Sequence, residues 1–224
     1  MKTLLKWSLC SAAAVLILAA GSKLIQDNNI KISDIPMQTA IAQTASENVL
    51  LVSASNPLPD GFETGGLVDL YDEKRTFQLA SSDIRLTRET FEAANDMFGQ
   101  ARKDGISGFI LTSGYRTEAE QRELYKNGAD KTAAVPGASE HQTGLAFDVT
   151  AYSNGKDFDE TEQFSWLNEH CWDFGFILRY PEGKEDITGF PYESWHYRYV
   201  GVEIAQKIHE NGWTLEEYCE RNGD

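Results

Sequence analysis

The stretch Ser139-Glu140-His141-Gln142-Thr143-Gly144-Leu145-Ala146-Phe147-Asp148 combines a polar turn with a strand. In its second half, larger apolar residues alternate with small or polar ones. Residues 145–150 are therefore predicted to form a strand with Phe147 on one face and Asp148 on the other. Gly144 permits a bend before this strand, which would bring His141 over the face that carries Asp148. A loop histidine beside a strand aspartate is usually only a polar edge. This stretch therefore predicts a turn and a strand, and leaves the function open.

A second polar cluster lies in Glu193-Ser194-Trp195-His196-Tyr197-Arg198-Tyr199. Its aromatic residues alternate along a predicted strand, which leaves His196 and Arg198 on the opposite face. Glu193 lies three positions before His196, so their side chains converge only if the chain turns before the strand. A helix would bring the two together directly, but the alternating aromatics favour the strand with a turn.

The histidines limit what kind of metal site the chain can hold. There are four, namely His141, His170, His196 and His209. No Cys-x-x-Cys pair occurs, so a zinc centre would need histidines and carboxylates. His170 and His209 lie in helical stretches among polar residues and are interpreted as surface residues.

Two histidines with one carboxylate leave a fourth zinc position open, which is the catalytic form of zinc. A second carboxylate could then take a proton from water. The sequence has no His-Glu-x-x-His, which excludes the common helix-borne metalloprotease site. The residues alone thus allow a zinc site without requiring one.

The rest of the chain alternates short strands and helices. Apolar residues at helical spacing predict a helix over residues 91–101 that ends at Gly105. Helix starts with the spacing of capping boxes are predicted at Thr117 with Glu120, Asp159 with Glu162, and Thr214 with Glu217. Strands are predicted at residues 49–52, 109–112, 145–150, 176–180 and 195–199. This mixture predicts an α+β domain with a small, largely antiparallel sheet flanked by helices.

Composition restricts the partners. The chain has 224 residues, 41% of them hydrophobic and 11% aromatic, which is enough for a buried core. Its formal net charge of -15 argues against nucleic acid and against anionic lipid as partners. The acidity is interpreted as a solvated surface, although it also suits a substrate that carries amines.

The first residues are typical of an export signal. Lys2 and Lys6 precede an apolar run over residues 7–20 that ends in small residues. We expect residues 1–22 to be a cleaved signal peptide or, alternatively, a retained membrane anchor. Residues 23–48 are expected to be a flexible tether and residues 49–224 the folded domain. The domain would then be extracytoplasmic, either secreted or anchored to the outer face of the cell membrane.

Two cysteines in the domain leave alternatives open. An oxidising compartment would permit a disulfide between Cys171 and Cys219. Each also lies beside apolar residues in a helical stretch, where a free cysteine behaves as a small hydrophobic residue.

The blocks Ser139-x-His141-x-x-Gly144-x-Ala146-x-Asp148 and Glu193-x-Trp195-His196 resemble the signature of the VanY-type D-alanyl-D-alanine carboxypeptidases. These enzymes belong to the M15 zinc peptidases, together with related dipeptidases and L,D-carboxypeptidases. Residues 113–117 and 176–184 resemble the same family, and the resemblance extends from about Leu51 to Glu220. It implies the LAS-type peptidase fold, with the zinc site in a cleft on the sheet.

Position by position, the resemblance implies that His141, Asp148 and His196 are the zinc ligands. Glu193 would be the general base that activates water and later protonates the leaving amine. Arg116 would stabilise charge on the scissile carbonyl or bind the substrate carboxylate through its planar guanidinium group.

Two further residues are implied as substrate contacts, Ser139 and Gln121. Ser139 could instead only shape its loop, and Gln121 could be a solvated residue early in its helix. Trp195 is expected in the core, and the alternative is a platform for the substrate. Residues 181–192 would be either a lid over the cleft or a surface loop.

The resemblance implies a zinc carboxypeptidase that releases terminal D-alanine from peptidoglycan stem peptides, with D,D- or L,D-specificity left open. The alternative is a zinc-bearing, non-catalytic module that binds the cell wall. A pure binding module has no need of a base and an oxyanion-stabilising group, so the presence of Glu193 and Arg116 favours the enzyme. We expect it to be a monomer.

Overall fold

The computed structural model describes residues 49–126, 133–153 and 155–222. The predicted signal or anchor over residues 1–22 and the tether over residues 23–48 lie outside the described residues. Over the described ranges, no helix combines the length and the apolar character that crossing a membrane requires.

Seven short strands form two sheets within the described residues. The strands are β1 (Leu67–Asp69), β2 (Gln78–Leu79), β3 (Arg85–Thr87), β4 (Phe109–Ser113), β5 (Ala146–Ala151), β6 (Phe176–Leu178) and β7 (His196–Tyr199). The main sheet has the order β2-β4-β5-β7-β6, and β1 pairs with β3 in a small second sheet. The β2–β4 pair is parallel, and the other described pairs are antiparallel. The prediction of a small, largely antiparallel sheet is confirmed.

Six α-helices flank the main sheet in the described part of the chain. They are α1 (Arg88–Lys103), α2 (Glu118–Lys126), α3 (Glu162–His170), α4 (Glu185–Thr188), α5 (Val202–Asn211) and α6 (Leu215–Asn222). Reciprocal hydrogen bonds between Thr117 and Glu120 confirm the capping box before α2. Thr214 and Glu217 form the same box before α6. The predicted end of α2, after Lys126, lies outside the described residues.

The core lies between α1 and one face of the main sheet. Phe98 of α1 packs with its ring centroid 4.7 Å from that of Phe109 on β4 and 5.9 Å from that of Phe147 on β5. Phe147 and Val149 are fully buried on this face. Because side chains alternate along β5, Asp148 lies on the opposite face, where the candidate site is found.

Two predictions of secondary structure are corrected, and three short strands were not predicted. Residues 49–52 were predicted to form a strand, but they pair with no strand in the described part of the chain. Instead Val52 is buried, and Leu51 packs against the apolar cluster beneath α5 and α6. The cap of α3 is Thr161, which accepts from the Phe164 amide, because the residues around Asp159 form a short 3-10 turn of their own. The pair β1–β3 and the strand β2 were not predicted, since they are only two or three residues long.

The two described cysteines are free. Cys171 is buried in the main core, and Cys219 packs against the cluster beneath α5 and α6. The interpretation of both as small hydrophobic residues is confirmed. Burial raises the pKa of the Cys171 thiol to about 12, so this thiol is unreactive at neutral pH.

Candidate metal centre

The pairing of β5 with β7 brings two of the predicted ligands together. Asp148 lies directly opposite His196 in the antiparallel register, so both side chains project from the same face. Asp148 Oδ1 is 3.0 Å from His196 Nδ1. The two residues are 48 positions apart in sequence, and the sheet register alone makes them neighbours.

His141 reaches the same face from a single 3-10 turn, Glu140–Thr143, that ends at Gly144. Gly144 has a φ of +67°, which confirms the predicted bend. His141 Nδ1 is 2.8 Å from the carbonyl oxygen of Gly114. Because a carbonyl only accepts, Nδ1 carries the proton. The other ring nitrogen, Nε2, is then the atom that faces Asp148, 3.4 Å from its Oδ2.

Together His141, Asp148 and His196 offer ligand atoms that all lie within 4.8 Å of one another. The two imidazole rings are perpendicular, with centroids 4.9 Å apart. Both histidines are buried, and the Asp148 side chain is only 18% exposed. Two nitrogens and a carboxylate with an open side is a donor set that fits zinc.

The charges in the cluster favour a cation beside Asp148. Burial alone would raise the pKa of Asp148, but His141 and His196 hold it well below its usual range. Burial would lower the pKa of His196, but Asp148 and Glu140 raise it to about 9. Asp148 therefore favours positive charge between the two histidines, where a metal ion would lie.

Glu193 approaches the cluster from a tight turn. Residues 194 and 195 form the turn that leads into β7, and the His196 amide donates to the Glu193 carbonyl at 3.4 Å. Glu193 Oε2 lies 3.8 Å from His196 Nδ1, and the residue is only 5% exposed. The predicted turn is confirmed. Glu193 lies beside the ligand set without belonging to it.

Arg116 is held beside the site by hydrogen bonds. Its amide donates to the carbonyl of His141 at 3.1 Å, which ties the loop after β4 to the histidine turn. Its guanidinium group donates to Gln121 Oε1 at 2.6 Å and to Ser113 Oγ at 3.0 Å. Burial lowers the pKa of Arg116, whereas Asp148 raises it. Both of these side-chain partners are neutral, so the positive charge stays available to a substrate oxygen.

Gln121 is fully buried and uses both ends of its amide within the protein. Its Oε1 accepts from Arg116, and its Nε2 donates to the Ala134 carbonyl at 2.7 Å. The alternative of a solvated Gln121 is therefore wrong. The hydrogen bond from Arg116 to Gln121 positions the guanidinium group. The predicted contact of Gln121 with the substrate stays a prediction.

The cluster opens into a cavity of about 210 Å³. Ser139 lines this cavity and is 3% exposed. Tyr180 and Phe190 form an apolar wall, with their rings stacked at 4.7 Å between centroids. Trp195 lines the rim and is 39% exposed, so its predicted core position is wrong. Trp195 belongs to the turn before β7, so it does not share the aromatic face of the strand.

No pattern in the sequence separately indicated Tyr180 or Phe190 as site residues. Both lie near residues 181–192, whose two interpretations were a lid and a surface loop. The segment contains α4, and Phe190 from it lines the cavity.

Known proteins resemble this chain in sequence and in fold. Residues 83–202 match the family described as VanY: D-alanyl-D-alanine carboxypeptidase. The chain is 36% identical to the D-alanyl-D-alanine carboxypeptidase of Enterococcus faecium over 181 residues, which span 80% of this chain and 59% of that enzyme.

Two solved structures are similar in fold and sequence. The LdcB LD-carboxypeptidase aligns with a TM-score of 0.68 and 36% identity, over 76% of this chain and 84% of that one. The vancomycin resistance D,D-pentapeptidase VanY, in complex with Zn(II), aligns with a TM-score of 0.63 and 38% identity. That alignment covers 78% of this chain and 98% of the other. The α+β fold of this chain is therefore one that these peptidases share.

Proposed function

This chain belongs to the VanY family of carboxypeptidases, and from that premise we propose that it is a zinc-dependent enzyme that removes the terminal D-alanine from peptidoglycan stem peptides. One observation carries the proposal. His141, Asp148 and His196 converge within 4.8 Å, in a cavity that is also lined by Glu193 and Arg116.

Three atoms would hold the zinc: Nε2 of His141, a carboxylate oxygen of Asp148 and Nδ1 of His196. In His141 the other ring nitrogen is engaged by the Gly114 carbonyl, which leaves Nε2 as the free ligand atom. Zinc bound by two histidines and a carboxylate supplies a Lewis acid and activates water for attack on a peptide carbonyl.

Glu193 would be the general base. Its carboxylate lies at the edge of the ligand set, where it can accept a proton from the attacking water. The same carboxylic acid would then protonate the amine of the departing residue, which completes hydrolysis without a second acid.

Arg116 would bind the carbonyl oxygen as negative charge develops, or the free carboxylate of the terminal residue. A guanidinium group held by neutral acceptors keeps its full attraction for either oxygen. Gln121 and Ser113 keep the group in place before substrate arrives, so little reorganisation is needed during the reaction.

The cavity suits a small terminal residue. A volume of about 210 Å³ leaves room for one short side chain near the metal ligands. Ser139 would contact the substrate at the buried end, and the exposed Trp195 at the rim would contact the residues before the scissile bond. The shape of the cavity is compatible with D,D-activity and with L,D-activity.

We also propose that the enzyme acts outside the cytoplasm, secreted or held at the membrane by its N-terminal segment. The support is the basic and apolar pattern of residues 1–22. A wall peptide as substrate agrees with this location.

The test is product analysis with defined peptides. The full chain, loaded with zinc, is incubated with stem tetrapeptide, stem pentapeptide and free D-Ala-D-Ala, and the products are weighed by mass spectrometry. We expect loss of one terminal alanine from the tetrapeptide or the pentapeptide, which also assigns the specificity. A chelator should abolish the reaction, and added zinc should restore it. Binding of peptides without any product would contradict the proposal and favour the non-catalytic binding module.

A further inference from the structure

A buried ionic cluster lies on the Nε2 side of His196, and its carboxylate, Glu140, also lines the cavity. It contains Glu140, Arg179 and Arg198, all at most 1% exposed. Glu140 Oε1 accepts from Arg179 Nε and from Arg198 Nη1, each at 2.7 Å. Burial of these charges costs desolvation free energy. A contribution to stability therefore does not by itself explain the cluster.

The second oxygen of Glu140 is arranged differently. Among the described residues, neither Glu140 Oε2 nor His196 Nε2 has a hydrogen-bond partner, although both atoms are buried. The two atoms face each other at 3.5 Å. A buried polar atom without a hydrogen-bond partner is destabilising, so two such atoms that face each other call for an explanation.

The remaining guanidinium nitrogens of both arginines donate to other acceptors. Arg179 donates through Nη1 and Nη2 to Glu216 at 2.9 and 2.6 Å. Arg198 donates to the carbonyls of Tyr199 and Leu50 at 3.0 and 2.6 Å. The arginines therefore hold Glu140 by one oxygen and leave the other directed at His196.

His196 stands between two carboxylates. Its Nδ1 faces Asp148 and the ligand cluster, and its Nε2 faces Glu140. Glu140 Oε1 lies 2.7 Å from the guanidinium groups of both Arg179 and Arg198, which favour the carboxylate form, and a carboxylate only accepts hydrogen bonds. A proton on His196 Nε2 would satisfy both unpartnered atoms and leave Nδ1 free for a metal.

We propose that Glu140 is a positioning residue for the metal centre, which accepts a hydrogen bond from His196 Nε2 and thereby directs Nδ1 to the zinc. A carboxylate behind a ligand histidine fixes its tautomer and orientation and raises its basicity. This inference rests on the proposed zinc site and adds to it an anchor that also links the site to α6 through Arg179 and Glu216.

The test compares zinc affinity in two matched variants. Glu140→Gln keeps the size of the side chain but removes the charged acceptor. Glu216→Gln removes a charge from the same arginine without contact to His196. Zinc dissociation constants are measured by competition with a chelator, and melting temperatures are measured without metal.

We expect ~10- to 100-fold weaker zinc binding in Glu140→Gln. Glu216→Gln should bind zinc as the wild type does, although both variants lose thermal stability because Arg179 loses a partner in each. Equal zinc affinity in Glu140→Gln and the wild type would overturn this inference alone. A wild-type chain that binds no zinc would overturn the proposed function and this inference with it.

A second measurement does not depend on the folding of Glu140→Gln. In the zinc-loaded wild type, ¹⁵N-edited NMR assigns which ring nitrogen of His196 carries a proton. The inference requires the proton on Nε2 and the metal on Nδ1. Zinc on Nε2 would overturn it.

Discussion

Substitution of Gly144 by alanine tests how the 3-10 turn that carries His141 is held against β5. Gly144 has a φ of +67°, a conformation that costs an alanine ~1–2 kcal/mol. A methyl group on Gly144 would also lie 2.9 Å from Leu67 Cδ2 and 3.1 Å from Cγ2 of Thr64 and of Thr87. Overpacking of this kind costs ~1–3 kcal/mol.

Leu67 Cδ2 is the end of a flexible side chain, but Thr64 and Thr87 have little freedom to move away. Thr64 donates to the Gln142 carbonyl at 2.6 Å, and the Thr87 amide donates to the Gly144 carbonyl at 3.0 Å. Both contacts tie the neighbours to the same turn. The two costs therefore add, and Gly144→Ala should lower the free energy of unfolding by ~2–5 kcal/mol.

Gly212→Ala is the matched control. Gly212 ends α5 with a φ of +64°, and a methyl group there would meet nothing within 4 Å. At ~2–4 °C per kcal/mol for a domain of this size, the control should lose ~2–8 °C in melting temperature. Gly144→Ala should lose ~4–20 °C and, because His141 shifts, should also bind zinc more weakly. Equal thermal losses in the two variants would refute the packing argument.

Three further predictions concern the site and the N-terminus. Arg116→Lys should lower kcat/KM by ~100-fold or more with zinc content unchanged. The reason is that an ammonium group cannot bind two oxygens as a guanidinium group does. Steady-state kinetics and metal analysis check this prediction. Gln121→Glu should also lower kcat/KM with zinc retained, because a carboxylate at Gln121 Oε1 would pair with Arg116 and neutralise it; a wild-type rate would show that the charge of Arg116 is not needed. Mass spectrometry of the chain recovered from cells should find residues 1–22 removed, whereas an intact N-terminus in the membrane fraction would establish the anchor.

Local features of the fold could be predicted from the sequence. The capping boxes at Thr117 and Thr214 depend on residues three positions apart, and the alternation of β5 depends on neighbours. Each is decided by backbone geometry within one turn or one strand. Asp159 shows the limit: two polar residues compete for one cap, and the 3-10 turn that selects Thr161 has no distinct pattern.

Features that depend on pairing between distant segments could not be predicted. Residues 49–52 have the composition of a strand but pair with no described strand, so their apolar side chains pack on α5 and α6 instead. The family motif placed His141, Asp148 and His196 without their geometry, which depends on the β5–β7 register. The cluster around Glu140 gave no signal, because its arginines lie 39 and 58 positions away.

The most direct test of the central claim separates Glu193 from the metal ligands. Zinc content, melting temperature and peptide hydrolysis are measured on one preparation of Glu193→Gln, with His196→Ala as the variant that should lose the metal. If Glu193 is the general base, Glu193→Gln keeps zinc and fold and loses ~100- to 10,000-fold in kcat. A folded, zinc-loaded Glu193→Gln that hydrolyses stem peptide at the wild-type rate would contradict the mechanism.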